Sequence, residues 1–487
     1  MATSFPRFVM MLNNTEVSFT GADIISCEVV QETHPISLEL PASQADILIF
    51  SEDARIYTFS GDFYSALSRN VPARLYETVD GVETLIGKFY LEKWFSPKEK
   101  QIEFELVDAI GVYANTDYPG SFWIEATPIS VVIAEILNPV GIPYTLAANV
   151  ASRMVKGWIA PGKVREALQQ VCFAARCMVS TAKSETVLIV DAALPSATAG
   201  RPFGYYGAPK YGDGTLYNLI ALKSDITIAD KTDNQKLTHL PMVTQVTLHS
   251  HDYYHPAPGV QTAEEIYNAY LEPGDYIISY PKPYWSVAAE GVGSVPVYIA
   301  TEDGRVITTE DSSDTWMLLA RIPAESETFA FYSNYMVIRV LVAGTIKVWG
   351  YPWLENIRSH RYDEATASAT LVQGFYYGEA GKYYGVPRYS KITVVTATPN
   401  VISVEKATLV SPDLVPEVLA KLVDYYKLRY QQNVRLFPNP TATLGDIQVV
   451  NSLYGKDIVG ITEKLVSDLT GGFLIEAEIV GLERAGN

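Results

Sequence analysis

The chain has 487 residues, 48% of them apolar, and a formal net charge of −18. This charge repels phosphate backbones, which argues against nucleic-acid-binding enzymes and binders of anionic membrane surfaces. The length predicts roughly three or four domains. Frequent Tyr, Val, Ile and Thr favour β structure.

The first 118 residues predict a small antiparallel barrel. Residues 101–106 alternate polar and apolar side chains, as a strand with one buried face does. Asp80-Gly81 lies between two β-like runs and is a typical hairpin turn. We therefore assign 1–118 to a first barrel.

A small α/β domain is expected over residues 119–198. Pro128 opens a helical run that extends to residue 137. Apolar residues between Val164 and Ala175 recur with helical spacing and form one stripe. The apolar run 186–190 then predicts a buried strand.

Strand patterns return after this domain. Residues 199–259 and 346–410 are expected to form a second barrel, with 260–345 as a β module inserted in it. A helix over 413–432 and three short strands predict a C-terminal unit, 411–487. The fold class is α+β and β-rich: two antiparallel barrels with a small α/β domain between them, an inserted β module, and a C-terminal helix with strands.

Four of the six histidines lie within seventeen positions, and this is the cluster to test for a metal. On a strand His249 and His251 share a face, and His255 follows closely. A histidine pair can bind zinc, but a catalytic site needs a third ligand and an open position. The plainer interpretation is a polar strand face towards solvent or another subunit. We therefore predict no metal and no cofactor, with His249, His251 and His255 as the candidates to test.

Nothing in the sequence predicts catalysis. The paired carboxylates are Glu264 with Glu265 and Glu476 with Glu478, and the second pair alternates with apolar residues as a strand surface does. Glycoside hydrolysis needs two carboxyl groups at a set separation in a cleft. No GxSxG, no P-loop and no GxGxxG after a strand occurs. We expect no enzyme and no catalytic residue.

Cysteine usage and hydropathy bear on the compartment. The three cysteines argue against a disulfide framework and favour folding in a reducing cytosol. The N-terminus lacks the basic start and apolar core of a signal peptide. No run of about 18 apolar residues could span a bilayer. We expect a soluble protein, made in a cytoplasm and not inserted in a membrane.

Aromatic residues are dense between 260 and 353, and exposed aromatic rings can stack on sugars. A glycan-binding module is therefore one interpretation of this region, and packing of a β core or of subunit interfaces is the plainer one. The residues concerned are Tyr267, Tyr270, Tyr276, Tyr280, Tyr284, Trp285, Tyr298, Trp316, Trp349 and Trp353.

Several segments together resemble a known family. Gly87–Tyr113 contains a G-x-[FY]-Y-L strand and an alternating strand that lead into Val107-Asp108-Ala109. Gly157–Asp191 contains REALQ on a helix, followed by a short apolar strand. With Ser37–Asp53 and Ser467–Gly481, these segments resemble the phage tail-tip or baseplate hub proteins (the N-terminal region of tail-associated proteins) of tailed phages of Gram-positive bacteria.

The resemblance covers about residues 1–200 and 345–487. It implies a homotrimer whose two tube-like barrels per subunit form a pseudo-sixfold hub ring on the tail tube. It implies as partners the tail tube protein, distal tail protein, tape measure protein and a receptor-binding or spike protein. Genomic DNA would pass through the lumen without specific binding.

The implied location is the virion's tail tip, after synthesis and assembly in the host bacterial cytoplasm. The resemblance transfers no catalytic residue. The alternative function is a carbohydrate- or receptor-binding tail protein that engages the host cell surface.

Overall fold

A computed structural model describes most of the chain. The described residues are 4–13, 15–195, 225–227, 230–256, 262–291, 329–340, 343–363, 368–373, 376–377, 383–384, 388–393, 400–437, 443–451, 457–470 and 474–484. The two longest predicted segments outside them are 199–224 of the second barrel and 292–328 of the inserted module. Strands far outnumber helices in the described residues, which confirms the β-rich class.

The N-terminal part contains seven strands and three short helices. They are β1 (Ser4–Leu12), β2 (Thr15–Phe19), β3 (Ile24–Glu32), β4 (Gln44–Phe50), α1 (Ala54–Tyr57), α2 (Asp62–Ala66), β5 (Pro72–Val79), β6 (Val82–Phe95), β7 (Gln101–Val107) and α3 (Ala109–Asn115).

Helices and short strands then alternate. The elements are β8 (Asp117–Tyr118), β9 (Ser121–Pro128), α4 (Ile129–Leu137), a 3-10 turn (Asn138–Val140), β10 (Tyr144–Leu146), α5 (Ala148–Ala151), β11 (Met154–Ile159), β12 (Gly162–Lys163), α6 (Val164–Ala175), β13 (Cys177–Ser180) and β14 (Val187–Asp191).

The described residues of the rest of the chain are mostly in strands. Its elements are β15 (Asp225–Ile226), β16 (Lys231–His239), β17 (Gln245–Tyr254), β18 (Glu264–Leu271), β19 (Gly274–Ser279), β20 (Tyr284–Gly291), β21 (Phe329–Phe331), β22 (Tyr335–Val340), β23 (Gly344–Pro352), β24 (Leu354–Asp363), β25 (Ser368–Gln373), β26 (Tyr376–Tyr377), β27 (Tyr383–Tyr384), β28 (Arg388–Thr393), β29 (Val401–Val404), α7 (Val415–Tyr426), β30 (Tyr430–Leu436), β31 (Ile447–Val450), β32 (Ile458–Asp468) and β33 (Leu474–Glu483).

The N-terminal strands form an antiparallel sheet in the order β3-β4-β7-β6-β5-β1-β2. The predicted hairpin turn is present: Asp80 and Gly81 have φ of 51° and 82°, the two positive values that a tight hairpin needs. The alternation of β7 buries Phe104, whose ring lies 5.5 Å from that of Phe8 and 6.5 Å from that of Phe19. One face of the sheet is therefore core and the other is exposed.

The same sheet continues into the C-terminal strands. Residues 28–32 of β3 pair with 464–468 of β32, and the order then runs β32-β33-β30-β16. We call β32, β33, β30 and β16 the C-terminal half of the sheet. The strands β3, β4, β7, β6, β5, β1 and β2 are the N-terminal half, and the β3–β32 pairing is the seam.

Two closed barrels are not confirmed. In the described residues the strand path runs from β16 to β2 without a pairing that joins its ends. The reason lies in β3, which has β4 on one side and β32 on the other and so joins the halves. The sequence pattern defines which face of a strand is buried, but it does not define which neighbour the strand takes.

The middle of the chain packs its helices around one core. Helix α6 has the predicted bounds, and Glu166 accepts a hydrogen bond from the Lys163 backbone N–H at 3.0 Å at its start. It ends at Arg176, which has a left-handed φ of 56°. Helix α7 also packs on this core. It ends at Tyr426, earlier than expected, because the following residues form β30.

The segments expected in the second barrel divide between sheets. Strand β16 pairs with β30 of the expected C-terminal unit. Strand β17 instead lies between β24 and β29 in a three-stranded sheet. The module strands form two further sheets, β18-β23-β20 and β19-β22-β21. The proposed domain boundaries stay predictions. No helix in the described part of the chain is long and apolar enough to span a bilayer.

Candidate functional site

The exposed face of the large sheet carries four carboxylates in one line across four adjacent strands. Glu105 lies opposite Asp46, Asp46 opposite Glu28, and Glu28 opposite Asp468. Directly opposite side chains have Cβ atoms about 4.5–5.5 Å apart, so like charges repel there. We call these four residues the acidic row. It crosses the seam.

The environment of the row reflects this crowding. Burial, and then the charges of Glu105 and Glu28, raise the pKa of Asp46 above its usual value. At one end Lys93 donates to Glu105 at 2.9 Å. At the other end Asp468 accepts the backbone N–H of Thr470 at 2.9 Å. For Asp46 and Glu28, in the middle, the described residues provide no ion-pair partner within 4 Å.

The same face is charge-balanced beyond the seam. Arg435 donates to Glu476 at 2.6 Å across β30 and β33. Lys464 lies 3.5 Å from Glu32 across the seam itself. Glu478 accepts a hydrogen bond from Gln431 at 2.6 Å. Negative charge therefore accumulates on the face at the row and is compensated in the C-terminal half.

Two exposed phenylalanines lie on this face near the row. Phe50 is on β4, four residues from Asp46, and Phe95 is on β6, two residues from Lys93. Their exposed fractions are 39% and 42%. Large apolar side chains on an otherwise polar face are suited to contact with another protein surface.

Both ends of the strand path have unpaired edges within the described residues. Strand β2 pairs with β1 on one side, and β16 pairs with β30 on one side. An edge strand presents free backbone N–H and C=O groups, which can pair with another chain. These two edges are the places where the sheet could extend into a second copy.

A buried ionic cluster fixes the inner end of the seam. The Glu463 side chain is 7% exposed, and its carboxylate accepts a hydrogen bond from Tyr425 of α7 at 3.0 Å. His34 Nδ1 lies 3.9 Å from Glu463, and His34 Nε2 lies 3.4 Å from Glu32. The Glu463 carboxylate raises the pKa of His34 despite its partial burial. The cluster links both halves of the sheet to α7.

A buried aspartate holds the N-terminal half to the middle of the chain. Asp108, which follows β7, accepts hydrogen bonds from the backbone of Ile110 and Gly111 at 2.9 and 3.1 Å and so caps α3. Its second oxygen accepts from Thr181 at 2.7 Å. Complete burial raises the pKa of Asp108, and these hydrogen bonds oppose the rise. Its role is structural.

Two of the histidine candidates lie on β17 and share a face, as its period requires. His251 is 5% exposed; its Nδ1 lies 2.7 Å from the Glu355 carboxylate and its Nε2 lies 3.0 Å from the Glu405 carbonyl oxygen. Both ring nitrogens of His251 are thus engaged by oxygen acceptors. His249 is partly exposed on the same face.

His255 lies just beyond β17 in an aromatic cluster. Its Nδ1 lies 2.7 Å from the Pro256 carbonyl oxygen. Its ring centroid is 4.3 Å from that of Trp285 and 5.6 Å from that of Trp353. Within the described residues no three His, Cys, Asp or Glu side chains converge as metal ligands. The three histidines therefore do not form the set that a zinc site needs.

The paired carboxylates do not converge on a cleft. Glu264 binds Lys282 at 2.8 Å and accepts from Tyr284 at 2.6 Å. Burial acts to raise the pKa of Glu264, but these two hydrogen bonds outweigh it and lower the pKa. Glu265 points to the exposed side of β18. Glu476 and Glu478 belong to the balanced face described above. All three cysteines are buried and free.

Most described aromatics of the inserted module are packed. Tyr280 and Tyr284 are buried in its core and their rings lie 5.5 Å apart. Tyr267 and Tyr276 pack against the same core. Core packing therefore accounts for these four side chains.

Two of the ten aromatic residues named above are exposed, and so is Tyr332 of the same module, at 46%. Tyr270 is 62% exposed and Trp285 is 38% exposed. Tyr298 and Trp316 lie outside the described residues. Glycan binding by the module stays a hypothesis, and these three exposed rings are its candidates.

Sequence reasoning missed the acidic row and the ionic cluster. The alternation of β7 places Glu103 and Glu105 on one face, and this signal was readable. The sequence does not reveal the strand register that puts Glu105 and Asp468 in one row, because those residues lie far apart in sequence.

No protein-family model matches the chain. No curated protein matches its sequence. Solved structures do resemble it. The tail protein from Neisseria meningitidis MC58 has a TM-score of 0.46 and 9% identity, covering 98% of this chain and 96% of that one.

Two more structures are similar. The 43 kDa tail protein of prophage MuSo2 from Shewanella oneidensis has a TM-score of 0.43 and 10% identity, covering 98% of each chain. Prophage tail protein gp18 from Listeria monocytogenes EGD-e has a TM-score of 0.43 and 7% identity, covering 99% of this chain and 95% of that one. These neighbours are phage tail proteins, but with TM-scores below 0.5 no functional argument rests on them.

Proposed function

We propose that this protein is a structural subunit of a phage tail tip, a homotrimeric hub ring that caps the tail tube and connects it to the distal tail apparatus. The observation that carries the proposal is the seam. Strands from the two ends of the chain form one continuous sheet, and an acidic row crosses it.

Symmetry gives the arrangement of the ring. Three copies of a sheet with two halves present six halves around an axis, which matches a hexameric tube. Closed rings bury complementary surfaces between copies and remove exposed strand edges. The edges of β2 and β16 are the surfaces that suit such contacts.

The charge suits passage of DNA. In the proposed ring the acidic row faces the lumen. Carboxylates there repel the phosphate backbone, so the genome slides through without binding. The proposed neighbours are the tail tube, distal tail, tape measure and spike or receptor-binding proteins, and the proposed location is the virion's tail tip. We propose no enzymatic activity and no cofactor.

The proposal can be tested with purified full-length protein. Native mass spectrometry is expected to detect three copies per particle, and negative-stain images are expected to show rings with a central hole. The double variant Asp46→Lys/Glu28→Lys is expected to make these rings retain double-stranded DNA in an anisotropy assay at low salt.

The matched control is Glu125→Lys/Glu265→Lys, which makes the same charge change on exposed strand positions outside the row. Rings of the control variant are expected to bind DNA no better than the unmodified rings. Equal DNA binding by both double variants would exclude a lumenal row. A particle mass that does not correspond to a multiple of three subunits would exclude the trimeric hub.

A further inference from the structure

A small cavity lies between the end of α7 and the sheet of β17. Its volume is about 180 Å³. Val246 and Val423 line it and belong to the buried core, which gives it an apolar floor. Val243, Tyr362 and Tyr426 line its sides. We call it the α7 cavity.

Two cationic side chains line the same cavity. Lys427 and Arg429 come from the C-terminal end of α7 and the turn that follows it. Lys427 Nζ lies 3.6 Å from the exposed Asp424 carboxylate, so its charge is partly compensated. For Arg429, no carboxylate of the described residues lies within 4 Å as an ion-pair partner.

The Nε–H of Arg429 is buried and has no hydrogen-bond acceptor in the described part of the chain. A buried donor without an acceptor costs free energy, and more so when it carries charge. Arg429 is partly exposed and lines the cavity, so an acceptor bound in the cavity would satisfy this donor. A guanidinium prefers a planar anion that it can bind through two parallel hydrogen bonds, which describes a carboxylate.

The volume limits what the carboxylate is attached to. An apolar cavity of about 150 Å³ holds a benzene ring. The α7 cavity therefore fits a six-membered ring or a branched aliphatic group, with its anionic end towards Arg429.

We propose that the α7 cavity binds a carboxylate attached to a compact apolar group. The ligand is either a free small acid or the C-terminal residue of a partner chain, since both present this chemistry. The proposal is independent of the hub ring, and neither depends on the other's outcome.

The test titrates benzoate into the full-length protein by isothermal calorimetry, with benzamide as the neutral twin. Benzoate is expected to bind saturably and benzamide at least about tenfold more weakly. Arg429→Gln is expected to weaken benzoate binding at least about tenfold, the scale of one charge-assisted hydrogen bond. Lys427→Gln is expected to weaken it less.

Two further variants control for folding and for bulk charge. Arg435→Gln removes an exposed cation that does not line the cavity, and is expected to leave benzoate binding unchanged. Val243→Trp fills the cavity and is expected to abolish binding while the thermal unfolding curve stays cooperative. Benzoate binding that is equalled by benzamide or unaffected by Arg429→Gln would overturn the proposal.

The source of the carboxylate is distinguished with the peptide Gly-Gly-Phe and its C-terminal amide. Binding of the acid form but not of the amide supports a chain end as the ligand. Binding of benzoate without either peptide supports a free small acid. If neither benzoate nor the acid peptide binds, the cavity is not a carboxylate site.

Discussion

The acidic row and the strand pairs beyond the seam lie on the same exposed face of the large sheet but arrange charge in opposite ways. From β7 across the seam, four carboxylates stand opposite one another. In the C-terminal half, Arg435 stands opposite Glu476 and Lys464 opposite Glu478. Repulsion accumulates along the row, and the strand pairs beyond the seam compensate their charges.

The difference shows that stability does not account for the acidic row. Like charges placed directly opposite destabilise a strand pair, whereas opposite charges stabilise it by up to about 1 kcal/mol. A sheet that needed only to fold could use the arrangement of its C-terminal half throughout. The row is better explained by what passes or contacts that face than by the fold itself.

The largest expected effect separates the two faces of the N-terminal half. Phe104→Ala removes a ring that is 1% exposed and is expected to cost about 3–5 kcal/mol of unfolding free energy. Phe95→Ala, on the exposed face, is expected to cost less than about 1 kcal/mol. Urea unfolding measures both. Similar losses for the two variants would contradict the assignment of the faces.

Reversing one charge in each half is expected to give effects of opposite sign. Glu28→Lys places a cation between Asp46 and Asp468 and should stabilise the protein by about 1 kcal/mol. Glu476→Lys faces Arg435 and should destabilise it by a similar amount. Thermal unfolding at low salt measures both changes, which should shrink at high salt. Changes of the same sign would remove the contrast between the halves.

The acidic row also predicts a pH dependence. Because the folded protein raises the pKa of Asp46, ionising this carboxyl costs stability as the pH rises above its usual value of about 3.9 and through the raised value. Asp46→Asn should therefore stabilise the protein by about 0.5 kcal/mol at pH 7 and have little effect near pH 3. Unfolding free energies at both pH values measure this difference. If Asp46→Asn stabilised the protein more at pH 3 than at pH 7, the result would contradict like-charge repulsion at Asp46.

The smallest expected effect comes from the ionic cluster at the seam. The folded protein raises the pKa of His34, so its stabilising contribution is complete below the usual value of about 6.5 and is lost as the pH rises through the raised value. His34→Gln should cost about 0.5 kcal/mol at pH 5.5 and almost nothing at pH 9. His249→Gln is the matched control. An equal cost at both pH values would show that the His34 charge is not involved.

The sequence predicted local features well and long-range pairing poorly. The Asp80-Gly81 turn, the helix Val164–Ala175 and the buried face of β7 follow from rules that act within a few residues. The seam joins residues 28–32 to 464–468, and nothing local specifies that choice. The acidic row depends on this register, so the sequence could supply its members but not their alignment.

The histidine candidates illustrate the same limit at a site. Strand period correctly placed His249 and His251 on one face. It could not show that both nitrogens of His251 are engaged by Glu355 and the Glu405 carbonyl oxygen. Those partners lie more than 100 residues away in the sequence, and only tertiary structure supplies them.

The most direct test of the central claim is the orientation of the acidic row in the assembled particle. Electron cryo-microscopy of the purified ring, at a resolution that traces strands, would locate β3, β4, β7 and β32 relative to the axis. We expect three copies, with Glu28 and Asp46 on the wall of the central channel. A map in which these residues face the outer surface, or in which the sheet surrounds no channel, would contradict the account.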